Sequence, residues 1–272
     1  MTLLQIPTAE IELEWYGYGL LILAGFAAGL VNTLAGSGSV FTLSTLIFFG
    51  LPTDIANGTN RIGTTLQTIT AVWVFRKHEK NTFKWSLPFI IPSVLGAILG
   101  AFIAADLNEQ TFRYVVGGIM FFLLLLIIFN PKKQLKNNEP SEQKKASWLH
   151  FILFFFIGVY GGFIQAGIGI MLLVSLVSLM GFDMVKANIV KVVVVFAFCF
   201  PVLLVFVLND QVNWLMGGFL AIGQLLGSLL AAKFSLKNSN ANKWIRVLLV
   251  VMILLTEAKI FGLFDLIGSW VG

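Results

Sequence analysis

The chain has 272 residues, of which 58% are hydrophobic and only 11% are charged, and its formal net charge is +5. Soluble domains are about 45–50% apolar and about 25% charged, so this composition excludes a soluble globular protein and indicates helices that span a lipid bilayer. Because the basic residues lie in short loops between apolar segments, the positive charge sets membrane topology and does not indicate nucleic-acid binding.

Ten apolar segments predict an all-α polytopic membrane protein, because long apolar runs favour helices over a β-barrel. In chain order they are 16–35, 38–52, 58–75, 84–105, 112–129, 148–166, 168–182, 187–208, 212–233 and 244–262. Segments 38–52 and 168–182 are shorter than the roughly 20 residues that a full crossing needs. Each follows a glycine-rich stretch, so we expect broken or re-entrant helices there. The stretch 1–15 has glutamates and no basic start, which predicts an N-terminal extracytoplasmic segment rather than a cleaved signal peptide.

The charges of the connecting loops predict the orientation of the segments, since basic loops stay in the cytoplasm. The loops at 76–84, 130–145 and 233–246 are basic, whereas the loop at 208–213 is acidic. This pattern makes 130–147 a cytoplasmic linker and places both termini outside.

The parts before and after the linker, residues 16–129 and 148–272, repeat the same short patterns. The matched pairs are GAILGAFIAA (96–105) with GQLLGSLLAA (223–232), GLPTDIAN (50–57) with GFDMVKAN (181–188), and, after a two-residue insertion, GLVNTLAGSG (29–38) with GFIQAGIG (162–169). The basic loop 76–84 corresponds to the acidic loop 208–213, so the repeats have opposite orientation. We therefore predict two inverted-topology repeats of about five helical segments each, an organisation typical of transporters.

The glycine-rich stretches NTLAGSGSVFT and QAGIGI are the first candidates for a binding site. Glycine lets the backbone leave the helix, and a helix that restarts has free N–H groups that bind anions. The expected ligands in these stretches are Asn32, Gly36, Ser37, Gly38, Gln165, Gly167 and Gly169. Close helix packing through small residues is the alternative, and it is preferred for the pairs Gly96/Gly100 and Gly223/Gly227.

Two basic residues lie inside apolar segments in matched positions, Arg61 in the third segment and Lys191 in the eighth. A charge at the bilayer centre costs at least about 2.5–3.5 kcal/mol on insertion scales, and such residues usually mark a transport pathway. We expect both cations to bind an anion together with the carboxamides of Asn57, Asn60 and Asn188, since the arginine fork suits oxyanions. The alternative is that both side chains snorkel to a membrane interface.

Enzymatic and metal chemistry have little support. GSGS at 36–39 contains serines, as an intramembrane serine protease would need, but neither His78 nor His150 is placed to act as the base. Cys199 is the single cysteine of the chain, and no Cys/His cluster indicates a metal site. We therefore expect a protein that is not an enzyme and has no cofactor, metal or obvious proton relay.

Three stretches resemble the TauE/SafE family of sulfite exporters: AGLVNTLAGSGSVFTLSTLIFFGLP, ANGTNRIGTTLQTITA and GVYGGFIQAGIGIMLLVSLVSLMGFDMVKANIVKVV. The resemblance covers nearly the whole chain and both repeats, and the glycine-rich turn and ANGTNR are its specific parts. It implies a polytopic permease of small sulfur-containing anions such as sulfite and organosulfonates. Family members usually have a longer glycine run at 36–39, where this chain has serines.

We therefore expect a transporter that exports a small sulfur oxyanion, with sulfite as the leading candidate, by alternating access in a bacterial inner (plasma) membrane. Its partners would be the anion and the lipid bilayer. A homo-oligomer is possible, and the sequence does not decide the oligomeric state. The alternatives are a permease for organosulfonate, thiosulfate or another small organic anion, and an anion channel, which the inverted repeat disfavours.

Overall fold

The structure, a computed structural model, describes residues 13–34, 36–78, 82–129 and 147–235, and its secondary structure in these ranges is helical, with no β-strand. In chain order the helices are α1 (Trp15–Leu34), α2 (Ser39–Phe48), α3 (Thr53–His78), α4 (Thr82–Asp106), α5 (Glu109–Phe129), α6 (Trp148–Phe163), α7 (Ile168–Val174), α8 (Met184–Leu208) and α9 (Trp214–Ser235). A π-helical turn, Ser175–Leu179, continues α7. The expected segments from 16–35 to 212–233 are thus helical, whereas segment 244–262, the stretch 1–12 and most of the linker lie outside the described residues.

Helix α3 begins earlier than the expected segment 58–75, at Thr53. The carbonyl of Pro52 accepts the amide of Ala56 at 2.8 Å, and a proline suits the start of a helix because its missing N–H is not needed there. The expected start was wrong because the polar residues near it do not end the helix: Asn57 and Asn60 are buried inside it. Arg61 consequently lies about two turns inside α3.

The surface is apolar and much of the interior is polar, which suits a protein surrounded by lipid. Leu95 and Phe200 are exposed, whereas Ser86 and Ser228 are fully buried. Within the described residues, four helices are long and apolar enough to cross a membrane, namely α1, α4, α8 and α9. Helix α3 is as long, but its many polar side chains keep it out of this group.

Two helix pairs form the most extensive contacts, α1 with α9 and α4 with α6. Glycines make both contacts close: a Cβ on Gly223 or Gly227 would collide with the backbone of α1, and a Cβ on Gly96 or Gly100 with the backbone of α6. The prediction that these four glycines serve helix packing is therefore confirmed. Helix α3 contacts α8 and α9, and α8 contacts α4, so α3 and α8 connect the two pairs.

Candidate functional site

Helices α1 and α6 both end at a glycine-containing break, and the two breaks touch each other. Gly36 and Gly167 have φ angles of 80° and 75°, in the left-handed region that favours glycine. The amide of Gly169 donates to the carbonyl of Gly36 at 3.0 Å. A Cβ on Gly36 would overlap the backbone of Gly169, and the reverse is also true. The contact between the breaks therefore requires glycine on both sides.

In the first break, Asn32 holds the start of α2. Its carboxamide oxygen accepts the backbone N–H of Ser39 at 3.1 Å, and its nitrogen donates to the Ser39 hydroxyl at 3.1 Å. The amide of Gly36 donates to the carbonyls of Val31 and Asn32, each at 3.0 Å. These bonds satisfy polar groups that are left open where α1 ends and α2 begins.

Lys191 of α8 reaches the C-terminal end of α1. Its ammonium donates to the carbonyls of Asn32 at 3.1 Å and Thr33 at 3.3 Å, and the residue is only 2% exposed. Carbonyls at a helix C-terminus carry partial negative charge, so a cation stabilises them. One role of Lys191 is therefore to stabilise the end of the first broken helix.

Arg61 of α3 reaches the C-terminal end of α6 in the same way. Its Nη1 donates to the carbonyl of Gly161 at 2.7 Å, and its Nη2 donates to that of Gly162 at 2.9 Å. Longer contacts of 3.4 Å join the guanidinium to the carboxamide oxygens of Gln165 and Asn57. Arg61 is fully buried, and within the described residues it forms no ion pair. Its charge is thus directed at helix-end carbonyls.

Snorkelling to an interface does not describe either cation in this structure, because both are buried and bonded to backbone carbonyls. In the sequence, the nearby carboxylate that could pair with Arg61 is that of Asp54, across a turn, and the structure shows no ion pair of Arg61 within the described residues. The partners lie far away in the chain, at Gly161 for Arg61 and at Asn32 for Lys191, separations of 100 and 159 positions. A search for acidic residues cannot find such partners, since every residue has a carbonyl.

A cavity lies where the two breaks meet α3 and α8. It contains about 360 Å³ of space not filled by protein atoms, including its mouth. Five of the predicted residues line it: Asn32, Gly36, Gln165, Gly169 and Lys191. Among the described residues, no group of three or more His, Cys, Asp or Glu side chains is placed to hold a metal ion. The chemistry of the lining is that of one cation among neutral hydrogen-bonding groups.

Two predicted asparagines lie behind the cavity and hold helices together. Asn57 donates to the carbonyl of Phe163 at 2.9 Å, at the end of α6. Asn60 accepts a hydrogen bond from the Thr42 hydroxyl of α2 and, at 3.4 Å, from Gln224 of α9. Together with Arg61, these residues make the N-terminal half of α3 the part that joins both breaks.

The remaining predicted residues do not line the cavity. Ser37, Gly38 and Gly167 are buried in the breaks, and Asn188 lies in the second turn of α8. The carboxamide oxygen of Asn188 is buried and accepts no hydrogen bond from the described residues.

The break amides, which the sequence suggested as free anion-binding donors, are partly used by the protein itself. The amides of Gly36, Ser39 and Gly169 all donate to protein oxygens. In this conformation, side chains therefore contribute more to the polar lining than these three amides do.

Helix α3 contributes three polar residues to the cavity lining that were not predicted: Thr64, Gln67 and Thr68. The signal was present in TTLQTIT (64–70), because polar residues three and four positions apart share one face of a helix. Within a membrane segment, such a face indicates a buried contact or a cavity. This face has no charged residue, so it gives a weaker signal in the sequence than Arg61 and Lys191 do.

The chain is similar along most of its length to proteins described as probable membrane transporters. A model of the family described as sulfite exporter TauE/SafE matches residues 21–260. A probable membrane transporter protein of Haemophilus influenzae is 26% identical over 242 residues, which are 88% of this chain and 92% of that protein. The probable membrane transporter protein YfcA of Escherichia coli K12 is 25% identical over 267 residues, 93% of this chain and 94% of that protein. The probable membrane transporter protein ORF9 of Sinorhizobium sp. is 26% identical over 243 residues, 89% and 91% of the two chains. No solved structure matches the chain.

Proposed function

Because the chain belongs to the sulfite exporter TauE/SafE family, we propose that this membrane transporter exports a small sulfur oxyanion, with sulfite as the first substrate to test. The matched residues 21–260 include every residue of the cavity lining. The names of the relatives specify a membrane transporter and no substrate, so the proposal for the anion depends on the chemistry of the cavity.

The observation that carries the proposal is the presence of Lys191 in the cavity lining beside the carboxamides of Asn32 and Gln165. An ammonium provides positive charge and the carboxamide of Gln165 provides a hydrogen-bond donor, a combination that binds oxyanions. The nitrogen of Asn32, by contrast, donates to Ser39 and Gln67. Arg61 lies behind Gln165 and contacts its oxygen at 3.4 Å, which keeps a second positive charge near the site. Gly36 and Gly169 also line the cavity, and their backbones are in such close contact that neither position has space for a side chain.

Alternating access by two inverted halves is the proposed mechanism. Reciprocal contacts support it: Arg61 of the first half bonds to the end of α6, and Lys191 of the second half bonds to the end of α1. The matched glycines Gly50 and Gly181 both have positive φ angles, 96° and 72°. Since each half holds the broken helix of the other, movement of one half against the other would change both breaks together.

The direction of transport follows from charge. An inside-negative potential of about 100 mV favours expulsion of one negative charge by about 2.3 kcal/mol, so export needs no coupling ion. No aspartate or glutamate of the described residues lines the cavity, which agrees with uncoupled export. The proposed location of such an exporter is a bacterial inner membrane. The charges of the loops predict that both termini lie outside the cytoplasm.

The apolar part of the cavity lining favours a second candidate of the same class, a small alkyl sulfonate. Ala71, Ile168, Val192 and Val195 line the cavity together with the polar groups. Sulfite presents oxygen atoms to its surroundings and gains little from an apolar wall. A sulfonate combines an anionic head with an apolar end that would pack against these four side chains.

The proposal is tested by reconstituting the purified protein in liposomes and measuring sulfite efflux under an imposed potential, with methanesulfonate, thiosulfate, acetate and sulfate as competitors. Saturable, electrogenic sulfite flux would support the proposed function. Flux of methanesulfonate without sulfite would favour the second candidate. Large unsaturable conductance would indicate a channel, and proton or sodium flux stoichiometric with sulfite would contradict uncoupled export. Absence of flux for every anion would refute the proposed substrate class.

A further inference from the structure

Helix α3 contributes three neighbouring polar residues to the cavity lining, Thr64, Gln67 and Thr68. The hydroxyl of Thr64 donates to the carbonyl of Asn60 at 3.1 Å, and the hydroxyl of Thr68 donates to the carbonyl of Thr64 at 2.8 Å. Both hydroxyl protons are therefore used within the helix. Neither threonine can donate to an anion without giving up its bond to the helix backbone.

Gln67 differs from its two neighbours because its amide protons are not used in this way. The oxygen of Asn32 accepts the Ser39 amide, so the nitrogen of Asn32 is the atom that lies 3.5 Å from the Gln67 carboxamide. A nitrogen donor requires an oxygen opposite it, which assigns the Gln67 oxygen to this contact. The Gln67 Nε2 is then the other end of the group, and no described residue accepts a hydrogen bond from it.

The position of Gln67 is well held. Its backbone carbonyl accepts a hydrogen bond from the hydroxyl of Ser228 in α9 at 2.8 Å. Gln67 is 4% exposed and Ser228 is fully buried. A donor on a fixed helix, with no protein acceptor, is suited to bind an acceptor that the substrate brings.

We propose that Gln67 is a substrate-contacting residue that determines the affinity of the transporter for its anion. Its carboxamide N–H donates to an oxygen of the anion from α3, while Lys191 contributes from α8 and Gln165 from the break after α6. This inference rests on the proposed function and adds α3 as a third element that contributes a side chain to the anion site. In the repeat, the corresponding stretch of α8 is VVVVFAF (192–198), which offers no equivalent donor.

The test compares wild type, Gln67→Leu and Gln67→Glu in liposomes, with KM and maximal rate measured separately for sulfite and methanesulfonate. Gln211→Leu is the matched control, because this glutamine bonds to the carbonyl of Ala105 and does not line the cavity. Loss of a hydrogen bond to a charged acceptor predicts a KM raised roughly 10- to 100-fold for Gln67→Leu. Gln67→Glu keeps the size of the side chain but repels anions when ionised, so saturable anion efflux at neutral pH is lost and returns as the pH falls.

The outcomes separate this inference from the proposed function. An unchanged KM in Gln67→Leu, in a preparation whose wild type transports, would overturn the role of Gln67 and leave the proposed function intact. If Gln67→Leu cannot be purified as a monodisperse protein, Gln67→Glu decides: normal anion efflux at neutral pH would overturn the inference. If the wild type transports neither anion, both proposals are wrong. A raised KM in Gln67→Leu with an unchanged Gln211→Leu supports the inference.

Discussion

The break between α1 and α2 and the break between α6 and α7 are built alike but are held by different cations. At each break a glycine has a positive φ angle, and a cation donates to the last carbonyls of the preceding helix. Arg61 uses both terminal nitrogens for these carbonyls and does not line the cavity, whereas Lys191 bonds to two carbonyls and also lines it. Residues that occupy paired positions in the sequence therefore have different surroundings in the fold.

The physical reason for the difference is the shape of the two cationic groups. A guanidinium is a planar fork that fits two adjacent carbonyls at once, and its charge then faces the helix end. An ammonium is a compact point charge without a fixed plane, and Lys191 both donates to carbonyls and lines the cavity. We infer that Arg61 is mainly a positioning residue and that Lys191 supplies the charge that the anion meets.

The largest expected effect is that of Arg61→Ala on stability. The substitution removes two charge-assisted hydrogen bonds at 2.7 and 2.9 Å, each worth about 1.5–3 kcal/mol, so we expect a loss of roughly 3–6 kcal/mol. The measurement is thermal unfolding of the detergent-purified protein. Arg61→Lys keeps the charge without the fork and should lie between wild type and Arg61→Ala. A variant Arg61→Ala that melts like wild type but has lost anion affinity would reverse the assignment of roles.

A smaller loss of stability is expected for Gly36→Ala. The φ angle of 80° costs an L-residue about 1–2 kcal/mol, and the added Cβ overlaps Gly169, which adds to this cost. Gly218→Ala in α9 is the control, since no atom outside its own helix lies within 4 Å of the added Cβ. Thermal unfolding should show a lower Tm for Gly36→Ala than for wild type. The Tm of the control Gly218→Ala should not be lowered. Equal Tm values in all three proteins would mean that the breaks do not need their close contact.

The smallest expected effect is that of Lys191→Met on the free energy of anion binding, which is measured through transport. Loss of the cavity cation should raise the KM for sulfite about tenfold, which corresponds to about 1.4 kcal/mol. The stability loss should be less than for Arg61→Ala, since the bonds at 3.1 and 3.3 Å are longer. Lys186→Met, at an exposed lysine near the start of the same helix, controls for loss of positive charge. A KM that changes equally in both variants would show that Lys191 acts only through the overall field.

Much of the site could be predicted from the sequence, namely the residues whose type is unusual in an apolar segment. Asn32, Gly36, Gln165, Gly169 and Lys191 were expected from their residue types in an apolar context, and all five line one cavity. Gln67 was missed because a neutral side chain in a membrane segment gives a weaker signal than a charge does. The position of Arg61 behind the lining could not be predicted, because its partners at Gly161 and Gly162 are backbone carbonyls.

The sequence by itself determined the membrane class, the order of the helices, the places where α1 and α6 break and the family. Hydrophobicity, glycine content and charge act over a few neighbouring residues, so a linear pattern records them directly. Only the tertiary structure decided that the breaks touch through Gly36 and Gly169, that Arg61 and Lys191 bond to helix ends, and that α3 forms a polar wall of the cavity. These features depend on contacts between residues that are far apart in the chain, 100 positions or more for the bonds of Arg61 and Lys191, and such contacts are decided by how the helices pack.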